Sequence, residues 1–154
     1  MARKYIAIIY DLETQINMRN WCQDNGFDLS QGYGGVPQNP EDFEFHTTVF
    51  YPINEVDGPH EDPGYNLIET REVIPMKFGM LGENQDVPVL KLELCSTIAI
   101  LRKKYEDMGM QDKWDNYVPH ISLSYAKSPR DVSKLQFPNF KLKFNRVTVE
   151  DIKE

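Results

Sequence analysis

The sequence predicts an α+β domain built from two similar lobes, each combining a helix with several strands. Three observations carry that expectation. Apolar, β-branched runs dominate, and only two stretches have helical periodicity. The order strand, helix, strands occurs twice along the chain. Finally, one strand in each half carries nearly the same polar pair, a histidine followed two residues later by a hydroxyl. These strands are Phe45-His46-Thr47-Thr48-Val49-Phe50-Tyr51 and Val118-Pro119-His120-Ile121-Ser122-Leu123-Ser124-Tyr125.

Taken in order, Tyr5 to Tyr10 is apolar on both faces and is expected as a buried central strand. Thr14 to Asn25 follows as a helix, with Met18, Trp21 and Cys22 at helical spacing and Gly26 as its stop. Ser30 to Glu41 is a loop, interrupted by Gly32, Gly34, Gly35, Pro37 and Pro40. Its glycines lack Walker-type spacing, so a surface loop is expected rather than a phosphate cradle. The first motif strand comes next, then an acidic, turn-rich connection from Pro52 to Pro63. Asn66 to Ile74 and Met76 to Leu81 are two shorter strands separated at Pro75. Val89 to Leu94 is a strand alternating Leu90, Leu92 and Leu94 against Val89, Lys91 and Glu93. Ser96 is the expected N-cap of a helix with Ile98, Leu101, Tyr105 and Met108 on one side, ended by Gly109. The second motif strand, a loop from Ser128 to Pro138 and a last strand from Phe140 to Ile152 complete the chain. In that last strand Phe144, Arg146 and Thr148 are expected to share a face. A length of 154 residues fits one domain, 1–154, with a real core.

Composition narrows the function. Hydrophobic content of 40% with 12% aromatics argues against disorder. The formal charge is −7, from 24 acidic and 17 basic side chains, so the wide basic surface that long nucleic acid demands is not expected. A small anion in a locally basic cleft remains compatible, with Arg71, Lys77, Lys143 and Arg146 as candidate sources of positive charge. Cys22 and Cys95 are expected as free, buried thiols. The apolar run from Tyr5 stops at Asp11, too short for a signal peptide or a membrane span, so a cytoplasmic location without membrane contact is expected.

The chemistry lies in the two motifs. Residues i and i+2 of a strand point the same way, so His46 shares a face with Thr48, and His120 with Ser122. Two imidazoles and two hydroxyls facing one cleft suit phosphodiester chemistry without a metal. A neutral imidazole takes a proton from the attacking oxygen and an imidazolium gives one to the departing oxygen. Histidine suits both roles because its ordinary pKa, about 6.5, lets both forms exist near neutrality. The hydroxyls of Thr48 and Ser122 can stabilise charge on the nonbridging phosphate oxygens. His60, among Asp57, Glu61 and Asp62, matches no zinc spacing, and no cysteine or carboxylate stands at ligand spacing beside the motif histidines. No metal and no cofactor are therefore expected.

On these residues the sequence resembles the 2H phosphoesterase superfamily, defined by two His-x-Thr/Ser motifs on facing strands of a bilobal fold. The resemblance spans essentially the whole chain and implies two pseudo-symmetric sheet-plus-helix lobes around a central cleft. It implies catalytic roles for His46 and His120 and phosphate binding by Thr48 and Ser122, serine standing where threonine is common. Within the superfamily, the compact length and the opening Ala2-Arg3-Lys4-Tyr5-Ile6-Ala7-Ile8-Ile9-Tyr10-Asp11 are similar to the phage anti-CBASS nucleases. That similarity implies a counter-defence enzyme whose partner is a small cyclic di- or trinucleotide alarm signal such as cGAMP. A nucleotide also needs base platforms, for which Tyr10 and Trp114 are candidates by stacking and Glu150 by accepting hydrogen bonds from a base edge. Two alternatives stand beside this reading: a 2H activity on RNA ends or 2′,3′-cyclic phosphates, and a non-catalytic sponge that sequesters cyclic nucleotides.

Overall fold

The computed structural model describes residues 4–54, 64–82, 84–114, 116–126 and 131–152. It is a mixed α+β structure with strands β1 (Lys4–Tyr10), β2 (His46–Phe50), β3 (Gly64–Val73), β4 (Pro75–Leu81), β5 (Val87–Leu92), β6 (His120–Ser122) and β7 (Leu142–Asp151). The helices are α1 (Leu12–Asp24) and α2 (Ser96–Asp107), and two single 3₁₀ turns fall in the glycine-rich loop after α1. The strands form two antiparallel sheets, ordered β2-β1-β7-β3 and β4-β5-β6.

The repetition expected from the sequence is visible in the topology. In one sheet β1 leads through α1 to β2, which pairs back against β1; in the other β5 leads through α2 to β6, which pairs back against β5. Each motif strand therefore ends up at the edge of its sheet. The two edges lie against one another. A continuous core beneath them draws Ile6, Ile8, Val49 and Val147 from the first sheet, Leu90, Leu92 and Ile121 from the second, and Met18, Ile98 and Tyr105 from the helices. Burial of that apolar surface is the main stabilising term, worth about 25 cal/mol per Å² removed from water.

Local chemistry explains the helix ends. Asp11 caps α1 by accepting from the Thr14 amide at 2.9 Å, and Gly26 leaves the helix at φ +78°, where a side chain would be strained. At α2 the expected cap is displaced by one residue. Cys95 holds the extended N-cap backbone, makes no side-chain cap bond, and Ser96 is the first helical residue. Gly109 ends that helix at φ +91°, as its position predicts.

Several strand limits differ from expectation for identifiable reasons. The expected break at Pro75 falls at Ile74, and Pro75 opens β4 opposite Leu92. β5 ends at Leu92 because the chain then turns into α2, leaving Leu94 58% exposed instead of alternating inward. β6 is only three residues long, since Pro119 and Pro88 lack the N–H groups that would extend its ladder. The carbonyls of those prolines instead accept from Leu92 and Leu123. In β7, Phe144 does not share a face with Arg146. The register shifts between Ile9↔Arg146 and Tyr10↔Phe144, and this bulge turns Phe144 into the core while Arg146 is exposed. Both cysteines are free, Cys22 buried and Cys95 half-buried. Among the described residues no helix is long and apolar enough to cross a membrane. His60 and most of the acidic connection lie outside the described residues.

Candidate active site

The motif strands alternate as their sequences require. In β2 Thr47 and Val49 are fully buried while His46 and Thr48 are half-buried; in β6 Ile121 is fully buried while His120 and Ser122 are half-buried. The registers correspond across the two sheets. His46 stands opposite Ile9 and Thr48 opposite Ala7; His120 stands opposite Lys91 and Ser122 opposite Val89. Because the two edges meet, the strands that carry the two histidine–hydroxyl pairs are neighbours, and His46 is near enough to His120 to affect its ionisation.

The two imidazoles are oriented by the same device. Nδ1 of His120 lies 2.9 Å from the Val118 carbonyl, and Nδ1 of His46 lies 3.4 Å from the Glu44 carbonyl. A carbonyl oxygen only accepts, so each contact selects the tautomer with its proton on Nδ1 and makes Nε2 the proton-accepting nitrogen. Burial, first of all, then the charges of His46 and Lys91, lower the His120 pKa below its ordinary value, against the opposing pull of the Val118 carbonyl. His120 is thereby biased toward the neutral, proton-accepting form. Ser122 sits beside the Tyr125 phenol, which burial pushes above its ordinary pKa.

The backbone that carries the first motif is pinned from α1. Gln15 donates through Nε2 to the Phe45 carbonyl at 2.7 Å and to the Tyr10 carbonyl at 3.1 Å, and its Oε1 accepts from the Phe45 amide at 2.7 Å. The residue directly before His46 is thus held at both its amide and its carbonyl.

The remaining site candidates separate. Tyr10 is 3% exposed, its ring edge-on to Phe144 and its hydroxyl bonded to Thr47 at 2.7 Å, so it is placed in the core and away from the cleft face. Burial pushes its phenol well above the ordinary value. Trp114 is 45% exposed and tilts against Tyr51, which stacks in turn on Tyr5. The Tyr5 hydroxyl donates to Glu150 at 2.6 Å, and burial followed by that carboxylate raises the Tyr5 pKa far above normal. By register, Tyr5 and Glu150 lie on the same sheet face as His46 and Thr48. Trp114, Tyr51, Tyr5 and Glu150 therefore form a row beyond Thr48, while Tyr10 is not part of it. Among the described residues no group of three or more His, Cys, Asp or Glu could hold a metal ion.

A family model described as anti-CBASS protein Acb1 matches residues 4–154. The chain belongs to the Acb1 family. No curated protein matches it.

In this Acb1-family chain the structure adds residues that sequence reasoning passed over. Lys91, directly across from His120, was visible only as the one cation in an otherwise apolar strand. Its side chain lies over Gly79, where an added Cβ would come within 2.9 Å of the lysine Cε. The cations named from sequence sit elsewhere or farther out. Arg71 pairs with Glu69 and Lys143 with Glu13, Lys77 stands beyond Lys91 in its row, and Arg146 is two strands from His46. Tyr117 and Arg102, which donate to the Thr48 and Val49 carbonyls, had no sequence signal at all.

Proposed function

We propose that this anti-CBASS protein is a metal-independent phosphodiesterase of the 2H type, folded as one domain over 1–154, that opens 3′–5′ linkages of cyclic di- or trinucleotide signals in the host cytoplasm. The two strand–helix–strand units then correspond to the two lobes, with the cleft between β2 and β6. The observation that carries the reading is the joint placement of two histidine–hydroxyl pairs with both Nε2 atoms left for a substrate.

In the proposed reaction, the neutral His120 takes the proton of a ribose 2′-OH as that oxygen attacks the adjacent phosphorus. His46, protonated, gives its proton to the departing 5′ oxygen. The new 2′-O–P bond and the broken P–O5′ bond leave an opened oligonucleotide with a 2′,3′-cyclic phosphate, and attack within one molecule lowers the entropic barrier. Thr48 and Ser122 donate to the nonbridging oxygens. Lys91 adds positive charge on the His120 side, and the Tyr5–Tyr51–Trp114 row with Glu150 is the proposed contact for a base. Net charge of −7 agrees with a compact substrate held in a cleft and not with a long polyanion.

The test is incubation with a panel of cyclic di- and trinucleotides followed by mass analysis. Opened product is expected from the wild type, and His46→Ala and His120→Ala should each lose roughly 10²- to 10⁴-fold in kcat. Near-normal turnover by either variant would overturn the two-histidine mechanism. Turnover of RNA ends alone would favour the other 2H activity, and tight binding without turnover would favour a sponge. A substrate lacking the attacking 2′-OH should resist cleavage; its efficient hydrolysis would point instead to direct attack by water.

A further inference from the structure

Beyond the bulge, the edge of β2 is stitched to the connection between α2 and β6. Lys113 donates its amide to the Tyr51 carbonyl at 2.8 Å, Ile53 donates to the Gln111 carbonyl at 2.9 Å, and Pro52 bridges Asp112. Nearer the motif the stitching passes to side chains. The Tyr117 hydroxyl donates to the Thr48 carbonyl at 2.6 Å, and Arg102 Nη1 donates to the Val49 carbonyl at 2.8 Å. Those carbonyls belong to consecutive residues at the bulge where Phe50, and not Val49, pairs with Ile6. The Arg102 guanidinium lies 3.9 Å from the Tyr117 ring centre and 5.1 Å from that of Phe50, and it pairs with the largely buried Asp112.

Tyr117 is three residues before His120, and Thr48 is two residues after His46. One short hydrogen bond therefore joins the backbone of one motif to the approach of the other. Backbone ladders do not fix this spacing, because β2 and β6 belong to different sheets. We infer that Tyr117, backed by Arg102 and Asp112, is a positioning unit that sets the spacing of His46 and Thr48 from His120 and Ser122 without touching substrate. The stacked guanidinium holds the phenol in place, and Asp112 holds the guanidinium. Its kinetic consequence rests on the phosphodiesterase reading above, whereas its effect on the histidines does not.

Tyr117→Phe removes only the hydroxyl and leaves the backbone rungs at Tyr51 and Ile53 intact, so the fold should persist. With a cyclic dinucleotide, kcat should fall about tenfold or more while KM stays within about twofold, the signature of lost alignment. In substrate-free protein, NMR titration of the His120 ring should move up toward the ordinary value, because a looser seam weakens both its burial and the influence of His46. An unmoved titration, or a change confined to KM, would overturn the inference. A moved titration in a protein whose wild type turns over no nucleotide would keep the positioning role and sink the phosphodiesterase reading. Arg102→Lys keeps the charge pair and loses the planar stack, so it should shift the titration in the same direction. It also serves if Tyr117→Phe fails to fold. The double variant should be no worse than Tyr117→Phe alone, and additive losses would mean the two do not act as a unit.

Discussion

At His120, burial and the charges of His46 and Lys91 all disfavour the imidazolium. If the neutral ring is the base, the acid limb of the kcat/KM profile should lie below the ordinary histidine value of about 6.5, with a separate fall on the basic side as the general acid loses its proton. An acid limb above that value would contradict the assignment. Lys91→Met should carry the acid limb to higher pH, since it removes one of the influences that keep the ring neutral. Gly79→Ala should move the limb in the same direction by displacing the lysine, at a stability cost of under about 1 kcal/mol because a flexible side chain can yield. The same shift links to stability. Between the lowered folded pKa and about 6.5 the unfolded chain binds more protons, so the His120 contribution is present above that window and lost as pH falls through the folded value. Thermal melts across that window should fall on acidification, and less steeply in His120→Gln.

At the level of the element, β2 depends on contacts from outside its own sheet. Gln15 satisfies the amide and carbonyl of Phe45 and the carbonyl of Tyr10 from inside the core. Gln15→Leu would strip the Gln15 bonds from three buried backbone groups, and a loss of at least about 3 kcal/mol is expected at roughly 1–3 kcal/mol per unsatisfied group. Denaturant unfolding measures it; an unchanged midpoint would mean that water replaces the amide. The alternation of His46 with Thr47 and Thr48 with Val49 was legible in the sequence because a period of two is a local property. The bulges were not. That at Phe50 and that between Phe144 and Arg146 exist only relative to a partner strand, so the face expected to be shared by Phe144 and Arg146 failed while those within His46–Val49 and His120–Leu123 held. Tyr10 illustrates the same limit. Its place at the end of β1 suited a base platform, yet a partner hydroxyl on Thr47 made burial of the phenol affordable and drew it into the core.

Across the whole molecule, the two motif strands are neighbours because two sheets present their edges to each other. Edge strands normally risk pairing with another chain. Here β2 is covered by Tyr117, Arg102 and the segment around Asp112. The candidate centre is built from imidazoles, hydroxyls and Lys91, so treatment with a strong chelator should leave turnover of a cyclic dinucleotide unchanged. Activity lost to the chelator and restored by a divalent metal would reject the metal-independent mechanism.

By itself the sequence determined the α+β class, the two strand–helix–strand units, and the polar pairs that alternate with core residues. It could do so because periodicity, helix stops such as Gly26 and Gly109, and hydroxyls two residues from histidines are all encoded over a few neighbouring positions. Tertiary structure alone decided that β2 and β6 meet, that Lys91 faces His120, that Tyr10 is core, and that Tyr117 ties the two motifs together. Those facts depend on which sheet edges pack and where registers slip, and contacts between residues 48 and 117 or 49 and 102 leave no trace in local pattern.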